Sequence, residues 1–384
     1  MPLIFTMCPQ QIDCAGKRMK KMTITRFEPK TDLVSEYQYR NRKMRFWFFL
    51  VLLLLLGVAS VSCCMGVSEL TPGRIFATWV PGIDSLGFKP LTIKEQNVLF
   101  MLRLPRIAGA IVAGAGLGIS GAGMQAITGN QMASPFTTGI SGAAAFGAAM
   151  IIVFGGIPVA AQKMATVLAA FIMAALCTAL VYGMANYHQM KAETLVLTGI
   201  ALNYLFSAMN STMQFIANEE QLPAIIHWTF GSLTGVGWND IGIMSVIFLA
   251  AYPVFRSQAW AFNLLDAGED ETAKSLGIPV RKTRLLTGIF GALLTAAVVS
   301  FTGIIGFVGL VAPHTARLLA GGDYRNILPF SAVGGALLVL SADTIGRNAF
   351  SPTTIPVGIV VSYVGVPMFL YLVLGERRLG HGRA

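Results

Sequence analysis

Ten apolar runs of roughly bilayer-spanning length dominate this 384-residue chain. Apolar residues make up 54% of the sequence and charged residues 12%, about half the share of charge in a soluble domain. A helix satisfies its own backbone hydrogen bonds in lipid, and one span needs roughly 20 apolar residues. We therefore predict an all-α polytopic membrane protein of about ten transmembrane helices. The predicted spans are 46–66, 106–126, 136–156, 162–184, 194–216, 239–257, 285–303, 305–320, 329–346 and 355–375. The seventh and eighth runs join, so hydropathy also permits nine spans.

The distribution of basic residues predicts the orientation. An even number of spans puts both termini on one side, where 21 Lys and Arg would lie against 7 on the other. This asymmetry places both termini in the cytoplasm. We expect a polar cytoplasmic tail at 1–44, compatible with disorder, a transmembrane domain at 45–378 and a cytoplasmic C-terminus at 379–384. The net charge of +10 then reflects topology and attraction to membrane lipid, with no need for a nucleic-acid partner.

Several familiar signatures are absent or misleading. The five cysteines show no metal-ligand spacing, so we expect no metal site and no cofactor. The glycines Gly116, Gly118 and Gly121 match a dinucleotide fingerprint, but no strand precedes them. Small residues at Gly114, Gly118 and Ala122 instead predict close helix packing. The sequence contains no GxxxxGK[ST] loop, so we expect a transport subunit without its own ATPase site, and no enzyme.

Four charged residues fall near predicted span ends. Arg103 and Arg106 precede the second span, and each is either an anchor that snorkels to the interface or part of a clamp for acidic residues of a docking protein. Asp343 and Arg347 lie four residues apart in the ninth span, so they share a helix face and can pair. Because a charge at the bilayer centre costs about 2.5–3.5 kcal/mol, we place this pair near the outer end.

The fifth predicted span is unusually polar. Thr198, Asn203 and Ser207 lie along it, which indicates either hydrogen bonds between helices or a transport path. The HWTFGSLTGVGW segment that follows suggests a short outer helix and a turn, with Trp228 and Trp238 also compatible with an aromatic belt. His314, beside Pro313 in the eighth span, is either a structural residue or a ligand.

The only long polar insert between spans is residues 264–284, here called the acidic loop. Its sequence is LLDAGEDETAKSLGIPVRKTR. A solvated loop is one interpretation. Leu264, Leu265, Ala273 and Leu276 favour the other, a short amphipathic helix that docks into a groove of a partner.

Taken in order, these segments resemble the permease subunits of ATP-binding-cassette (ABC) importers for iron-siderophore, haem and cobalamin. The resemblance rests on RLPR, GAGMQ with a following Asn and ASP, GEDETAKSLG, GFVGLVAPH with a following Arg, and AD with a following Arg, PVG and GVP. It covers residues 103–375 and implies a fold like that of a cobalamin-importer permease. It also implies two permease copies, identical or closely related, separate ABC ATPases, an extracytoplasmic substrate-binding protein and a location in the cell (inner or plasma) membrane.

The resemblance further implies roles for individual residues. Binding-protein docking falls to Arg103, Arg106 and Arg347, and ATPase coupling to Glu269, Ala273, Leu276 and Gly277. The gate and pathway residues are Asn130, Met132, Ala192, Glu193, Thr198, Asn203, Ser207 and Trp228. The sequence departs from the family at two gates: Asn130-Gln131-Met132-Ala133 replaces the usual Asn-Pro-Leu-Ala, and Glu193 puts a charge close to the predicted pore exit.

The expected function is therefore uptake of a ferric siderophore or related iron chelate, powered by a separate ATPase. Haem, cobalamin or an oxyanion are alternative cargoes of the same architecture. An ion-coupled secondary transporter is the rival class, but Asp343 is the single candidate midplane carboxylate and it has an arginine partner. A membrane enzyme would need a nucleophile–base set, which the sequence does not show.

Overall fold

The computed structural model describes residues 32–65, 71–79, 91–187, 190–267, 270–350 and 353–380, and within these ranges every regular element is helical. Ten long helices form the frame. They are α1 Asp32–Cys64, α4 Leu104–Thr128, α5 Ile140–Phe154, α6 Val159–Tyr187, α7 Ala192–Ile216, α9 Trp238–Ser257, α12 Val280–Thr302, α13 Val308–Ala320, α14 Tyr324–Asn348 and α15 Val357–Gly380. Shorter elements connect them: α2 Pro72–Trp79, α3 Ile93–Val98, a π-helical turn Leu99–Arg103, a 3₁₀ turn Pro135–Thr138, α8 Gln221–Thr229, α10 Ala259–Leu265 and α11 Asp270–Ser275.

Each predicted span corresponds to one of the ten long helices, so the all-α polytopic prediction is confirmed. Among the described residues, seven helices are long and apolar enough to cross a membrane alone. Helix α13 has 13 residues, which gives a length of about 20 Å, well short of a full span. Gly303 and Phe307 both have positive φ angles and separate α12 from α13. The seventh and eighth apolar runs are therefore two helices.

The chain divides into two parts, residues 1–43 and residues 44–384. Residues 1–31 of the predicted tail lie outside the described residues. Residues 32–44 are helical, because α1 begins at Asp32, about four turns before the predicted first span. The described part of the polar tail is thus helical, and the possible disorder of residues 1–31 stays a prediction.

Helix α4 lies at the centre of the large unit, and 19 of its 25 residues are buried. Three of its glycines allow neighbouring backbones to come unusually close. A Cβ at Gly114 would lie 2.3 Å from the Gly335 carbonyl oxygen of α14, and one at Gly118 would lie 2.1 Å from the Ser331 oxygen. A Cβ at Gly121 would lie 1.8 Å from the Gly309 oxygen of α13. These contacts confirm the predicted close packing and place α13 and α14 directly against α4.

The glycine contacts predict that Gly118→Val disrupts the packing of α4 on α14. The side chain would collide with the backbone of α14, which cannot rotate away as a side chain does. Overpacking costs about 1–3 kcal/mol, so we expect a clearly lower melting temperature in detergent by a fluorescence-based thermal shift. Gly183→Ala is the matched control, because a Cβ there meets no atom within 4 Å. Equal melting temperatures for the two variants would contradict the packing described here.

Candidate functional site

Two clusters of charged residues lie at opposite ends of α4. Arg106 is in its first turn and Ile127 in its last, and the 21-residue separation corresponds to about 32 Å along the axis. We call the end that holds Arg103, Arg106, Asp343 and Arg347 the arginine end. The end that holds Ile127 and the acidic loop is the loop end. These two ends contain most of the predicted site residues.

Asp343 is the centre of the arginine end and is fully buried. The Arg106 guanidinium lies 2.8 Å from its Oδ1, and Arg347 Nε lies 3.1 Å from its Oδ2. Arg106 and Arg347 side chains are 14% and 13% exposed. The predicted pairing of Asp343 with Arg347 is confirmed, and the structure adds Arg106 as a second partner. This bridge joins α4 to α14.

The third predicted docking arginine, Arg103, is more deeply placed than the sequence suggested. It is 7% exposed, and its Nη1 donates hydrogen bonds to the carbonyl oxygens of Cys63 and Cys64, at 2.5 and 3.2 Å. Those carbonyls belong to the last turn of α1, which has no intrahelical donors left for them. Arg347 also contacts this helix, through the Ser62 hydroxyl. Arg103 therefore caps α1 at the arginine end.

Trp228 and Lys163 line a cavity of about 390 Å³ at this same end, next to the loop that follows α8. The predicted outer helix and turn correspond to α8 and residues 230–237. Gly303 packs against this loop, since a Cβ at Gly303 would lie 2.2 Å from the Trp228 carbonyl oxygen and 3.0 Å from the Gly231 Cα. Arg106 Nη1 also donates to the Thr234 hydroxyl, 3.3 Å away. The predicted gate residue Trp228 thus lies beside the arginine cluster.

At the loop end the acidic loop contains the predicted short helix, α11, but its faces differ from the expectation. Leu276 is 62% exposed, and Gly277 ends the helix with φ +81°. Ala273, which we expected at a partner surface, is 0% exposed and packs with Leu265 and Val280. Its small side chain lets α11 lie close to its own chain. Glu269 lies outside the described residues.

Arg284, which the sequence analysis did not single out, is the most connected residue at the loop end. Its side chain is 5% exposed, and its guanidinium donates hydrogen bonds to both carboxylate oxygens of Asp270, at 2.6 and 2.8 Å. Nε donates to the Ile127 carbonyl oxygen at 2.8 Å, and Nη1 donates to the Met190 carbonyl oxygen at 3.0 Å. One side chain therefore joins α11, the end of α4 and the segment before α7.

A second arginine holds the other half of the acidic loop. Arg317 of α13 lies 3.3 Å from Asp266 and also hydrogen-bonds the Tyr324 hydroxyl. The Tyr324 hydroxyl in turn donates to Asp266 Oδ1 at 3.1 Å. The acids of the acidic loop thus differ in their surroundings. Asp270 pairs with the buried Arg284 and Asp266 with the partly buried Arg317. Glu271 is exposed beside Lys274.

The predicted gate residues Asn130 and Met132 form a turn directly after α4. Gly129 takes the left-handed conformation, φ +58°, and ends the helix. The Asn130 side-chain oxygen accepts a hydrogen bond from the Met132 backbone nitrogen at 2.9 Å. This bond fixes the turn without the proline that is usual in the family that the sequence resembles. Met132 is 53% exposed at the tip of the turn.

Helix α7 presents two different faces. Asn203 and Asn210 donate to the Phe136 and Gly142 carbonyl oxygens, at 3.2 and 2.9 Å, and Thr198 is buried. These residues support the interpretation of hydrogen bonds between helices. Residues at three- and four-residue intervals from Glu193 are exposed and form one stripe along the helix. The stripe comprises Glu193, Leu197, Ile200, Tyr204, Ser207 and Ser211. Ala192 is half-buried beside it, and His314 is buried on α13.

Comparisons with known proteins agree with this architecture. The sequence profile of the FecCD transport family matches residues 50–375. The chain belongs to this family. It is therefore a multi-pass permease subunit of an ABC importer of the inner membrane, a class that works with ATPase subunits and a substrate-binding protein.

This chain aligns with nearly the whole length of individual relatives. A putative ABC transporter permease of Methanocaldococcus jannaschii is 39% identical, over 89% of this chain and 98% of that protein. The haemin transport permease of Yersinia pestis is 33% identical, over 88% and 98%, and the molybdate import permease of Haemophilus influenzae 33%, over 85% and 97%. A solved inward-facing structure of a putative metal-chelate ABC transporter superposes with a TM-score of 0.74, at 32% identity, over 86% of this chain and 99% of that one.

Asp343 offers a test of the arginine end. Asp343→Asn would leave Arg106 and Arg347 close together without their counter-charge. Removing one partner of a buried ion pair typically costs about 3–5 kcal/mol, and we expect the low end because both arginines are partly exposed. Thermal unfolding in detergent measures the loss. Glu271→Gln, which removes an exposed pair with Lys274, should change stability by less than about 0.5 kcal/mol; a similar loss in both variants would contradict the assignment.

Proposed function

We propose that this permease imports a ferric siderophore or a related iron chelate. The carrying observation is the exposed stripe of α7, which is apolar or weakly polar apart from Glu193. Tyrosine and serine side chains on an exposed face of a membrane span favour contact with water or a partner over contact with lipid. A carboxylate close to one end of that stripe would repel a small oxyanion. These features fit a bulky chelate better than molybdate, and the resemblance to a metal-chelate transporter supports the same class.

A separate ATPase would supply the energy. The sequence contains no phosphate-binding loop, and the acidic loop offers a structured surface to such a partner. Leu276 is exposed at the end of α11, whereas Asp270 binds the buried Arg284 and Asp266 binds the partly buried Arg317. A leucine held on an anchored helix is suited to fill a groove of another protein. We assign Leu276 and Gly277 to this contact; Ala273 supports it from beneath.

A second copy of the permease, identical or closely related, would complete the path. The stripe on α7 then faces the other copy, and the turn at Asn130 and Met132 forms a gate at the loop end. The loop end would lie in the cytoplasm with both termini, as the charge asymmetry predicts. The same assignment puts Trp228 and the arginine end at the outer face, where a binding protein docks.

The charge balance supports docking at the arginine end. Its three arginines and one aspartate give the arginine end of each chain a local charge of +2. Of the three arginines, Arg106 and Arg347 are partly exposed. Charged groups at the rim of an interface act mainly on the encounter rate and its salt dependence. Arg103 acts indirectly, because it holds the end of α1 beside these two residues.

Transport by the reconstituted complex tests the cargo and the energy source together. Proteoliposomes with the permease, its ATPase and its binding protein should accumulate an iron-55 hydroxamate chelate on addition of ATP. Parallel assays use haemin, cobalamin and molybdate. Leu276→Asp should lower uptake at least tenfold per ATP hydrolysed, whereas Ser275→Asp, which adds the same charge next to it, should not. Uptake of another cargo alone would refute the iron chelate, and uptake without the ATPase would favour a secondary transporter.

Neutral substitutions at the arginine end test docking. We expect Arg106→Gln with Arg347→Gln to weaken binding of the substrate-binding protein about tenfold at low salt, where screening is least. Glutamine is preferable to glutamate here, because Asp343 would otherwise face added carboxylates. Surface plasmon resonance at two salt concentrations measures the effect. Arg74→Gln, which breaks an ion pair with Glu95, is the control. Unchanged binding by the double variant would leave these arginines as partners of Asp343 alone.

A further inference from the structure

We infer that Arg284 is the positioning residue that links the ATPase-facing helix α11 to both candidate gate segments. The inference rests on the proposed function and assigns the connection within this chain to one side chain. Arg284 lies one turn into α12 and is buried, although it follows two exposed cations, Arg281 and Lys282. Burial of a charged group requires partners that repay its desolvation. The structure provides three of them, on three different segments.

The first partner is Asp270, the first residue of α11. Both carboxylate oxygens accept hydrogen bonds from the guanidinium, at 2.6 and 2.8 Å. A paired contact of this kind fixes direction as well as distance, because the two planar groups must stay aligned. The Asp270 side chain is 36% exposed and Arg284 5%, so the pair extends from the surface into the interior. A displacement of α11 therefore pulls directly on Arg284.

The second partner is the Ile127 carbonyl oxygen, 2.8 Å from Nε. Ile127 is in the last turn of α4, and its carbonyl has no later amide of the helix to bind. The neighbouring carbonyls of Gln125 and Ala126 accept from Asn130 and Gly129. Arg284 thus completes the capping of α4 immediately before the turn that carries Asn130 and Met132.

The third partner is the Met190 carbonyl oxygen, 3.0 Å from Nη1. Met190 is buried and has a positive φ of 56°, which is uncommon for a residue with a side chain. Both polar groups of its backbone are therefore bound. The carbonyl oxygen accepts from Arg284, and the nitrogen donates to the Ala185 oxygen at 2.6 Å. Ala192 and Glu193, the second candidate gate, begin α7 two residues later.

These contacts use four of the five N–H groups of the guanidinium. A lysine could not replace them, because its single ammonium group cannot hold a paired carboxylate contact together with two separated carbonyl oxygens. The geometry makes α11, the end of α4 and the start of α7 move as one unit around Arg284. A movement of α11 in the acidic loop is then passed to both gate segments through the direct hydrogen bonds of Arg284.

Labelling of the gate tests this link without knowledge of the cargo. Met132→Cys, in a chain whose five native cysteines are replaced by serine or alanine, reports gate accessibility to fluorescein maleimide. The permease–ATPase complex in lipid nanodiscs is compared without nucleotide and after trapping with ATP and vanadate. The starting complex should show a large change in labelling rate on trapping. Asp270→Ala, which frees α11 from Arg284 but leaves both carbonyl contacts, should reduce that change at least fivefold.

Controls separate the link from folding and from the proposed function. Asp270→Glu retains a carboxylate and should restore most of the response, which a general loss of packing would not. Arg281→Gln removes a neighbouring cation that binds Asn186 at the end of α6, and its response should equal that of the starting complex. A full response in Asp270→Ala, or loss of the ATPase from that variant, overturns the inference. Absence of an ATPase from the starting complex itself would instead refute the proposed function.

Arg284→Lys provides a second variant if Asp270→Ala does not fold. It keeps the positive charge close to Asp270 but lacks the geometry for the two carbonyl contacts. We expect a weakened gate response, with melting temperature in detergent recorded alongside. A full response with Lys would show that charge alone suffices, and the role assigned to the three-way contact would be wrong.

Discussion

The architecture depends on the absence of side chains along one face of α4. In lipid, helices gain little from burying apolar surface against each other, and close backbone approach has to supply the packing. Gly114, Gly118 and Gly121 permit that approach toward α14 and α13. Glycine also destabilises the helix itself, because each glycine is about 1 kcal/mol less favourable than alanine in a helix interior. The surrounding helices offset it by enclosing almost the whole length of α4.

Buried charges then fix the two ends of this central helix. At one end Arg106 reaches Asp343 across to α14, and at the other Arg284 binds the Ile127 carbonyl from α12. Removing the charged groups of such contacts from water costs free energy, so the contacts add little net stability in general. Their value is geometric, because a misaligned arginine would leave a charge without a partner. Apolar packing along the helix and charged contacts at its ends thus do different work: the first holds α4 in the bundle, and the second sets its axial position.

Much of this fold follows from the sequence, because long apolar segments have few alternatives in a bilayer. The ten spans, the α4 glycines and the pairing of Asp343 with Arg347 were all predictable from period and composition. Arg284 was not, since it follows Arg281 and Lys282 and matches the cytoplasmic basic cluster that the positive-inside rule expects. One signal was present. Thr287, Gly288 and Gly291, which are buried, share its helical face. Ala273 was misjudged for a related reason: an apolar residue on a short helix can face its own chain or a partner, and spacing does not separate the two.

The interruption between α12 and α13 also determines which edge of the subunit lipid can touch. From Gly303 to Phe307 the backbone leaves the helical pattern at what must be membrane depth, because α13 is too short to cross alone. Hydrocarbon cannot satisfy backbone groups that a helix no longer pairs. Part of this stretch is covered by the chain itself, since the Ser232 nitrogen donates to Thr302 and Gly358 lies against Ile304. The remainder opens on a cavity of about 560 Å³ lined by Ile304, Gly306 and Tyr363. That cavity therefore needs water or protein as its neighbour, and it marks a sector of the perimeter from which acyl chains are excluded.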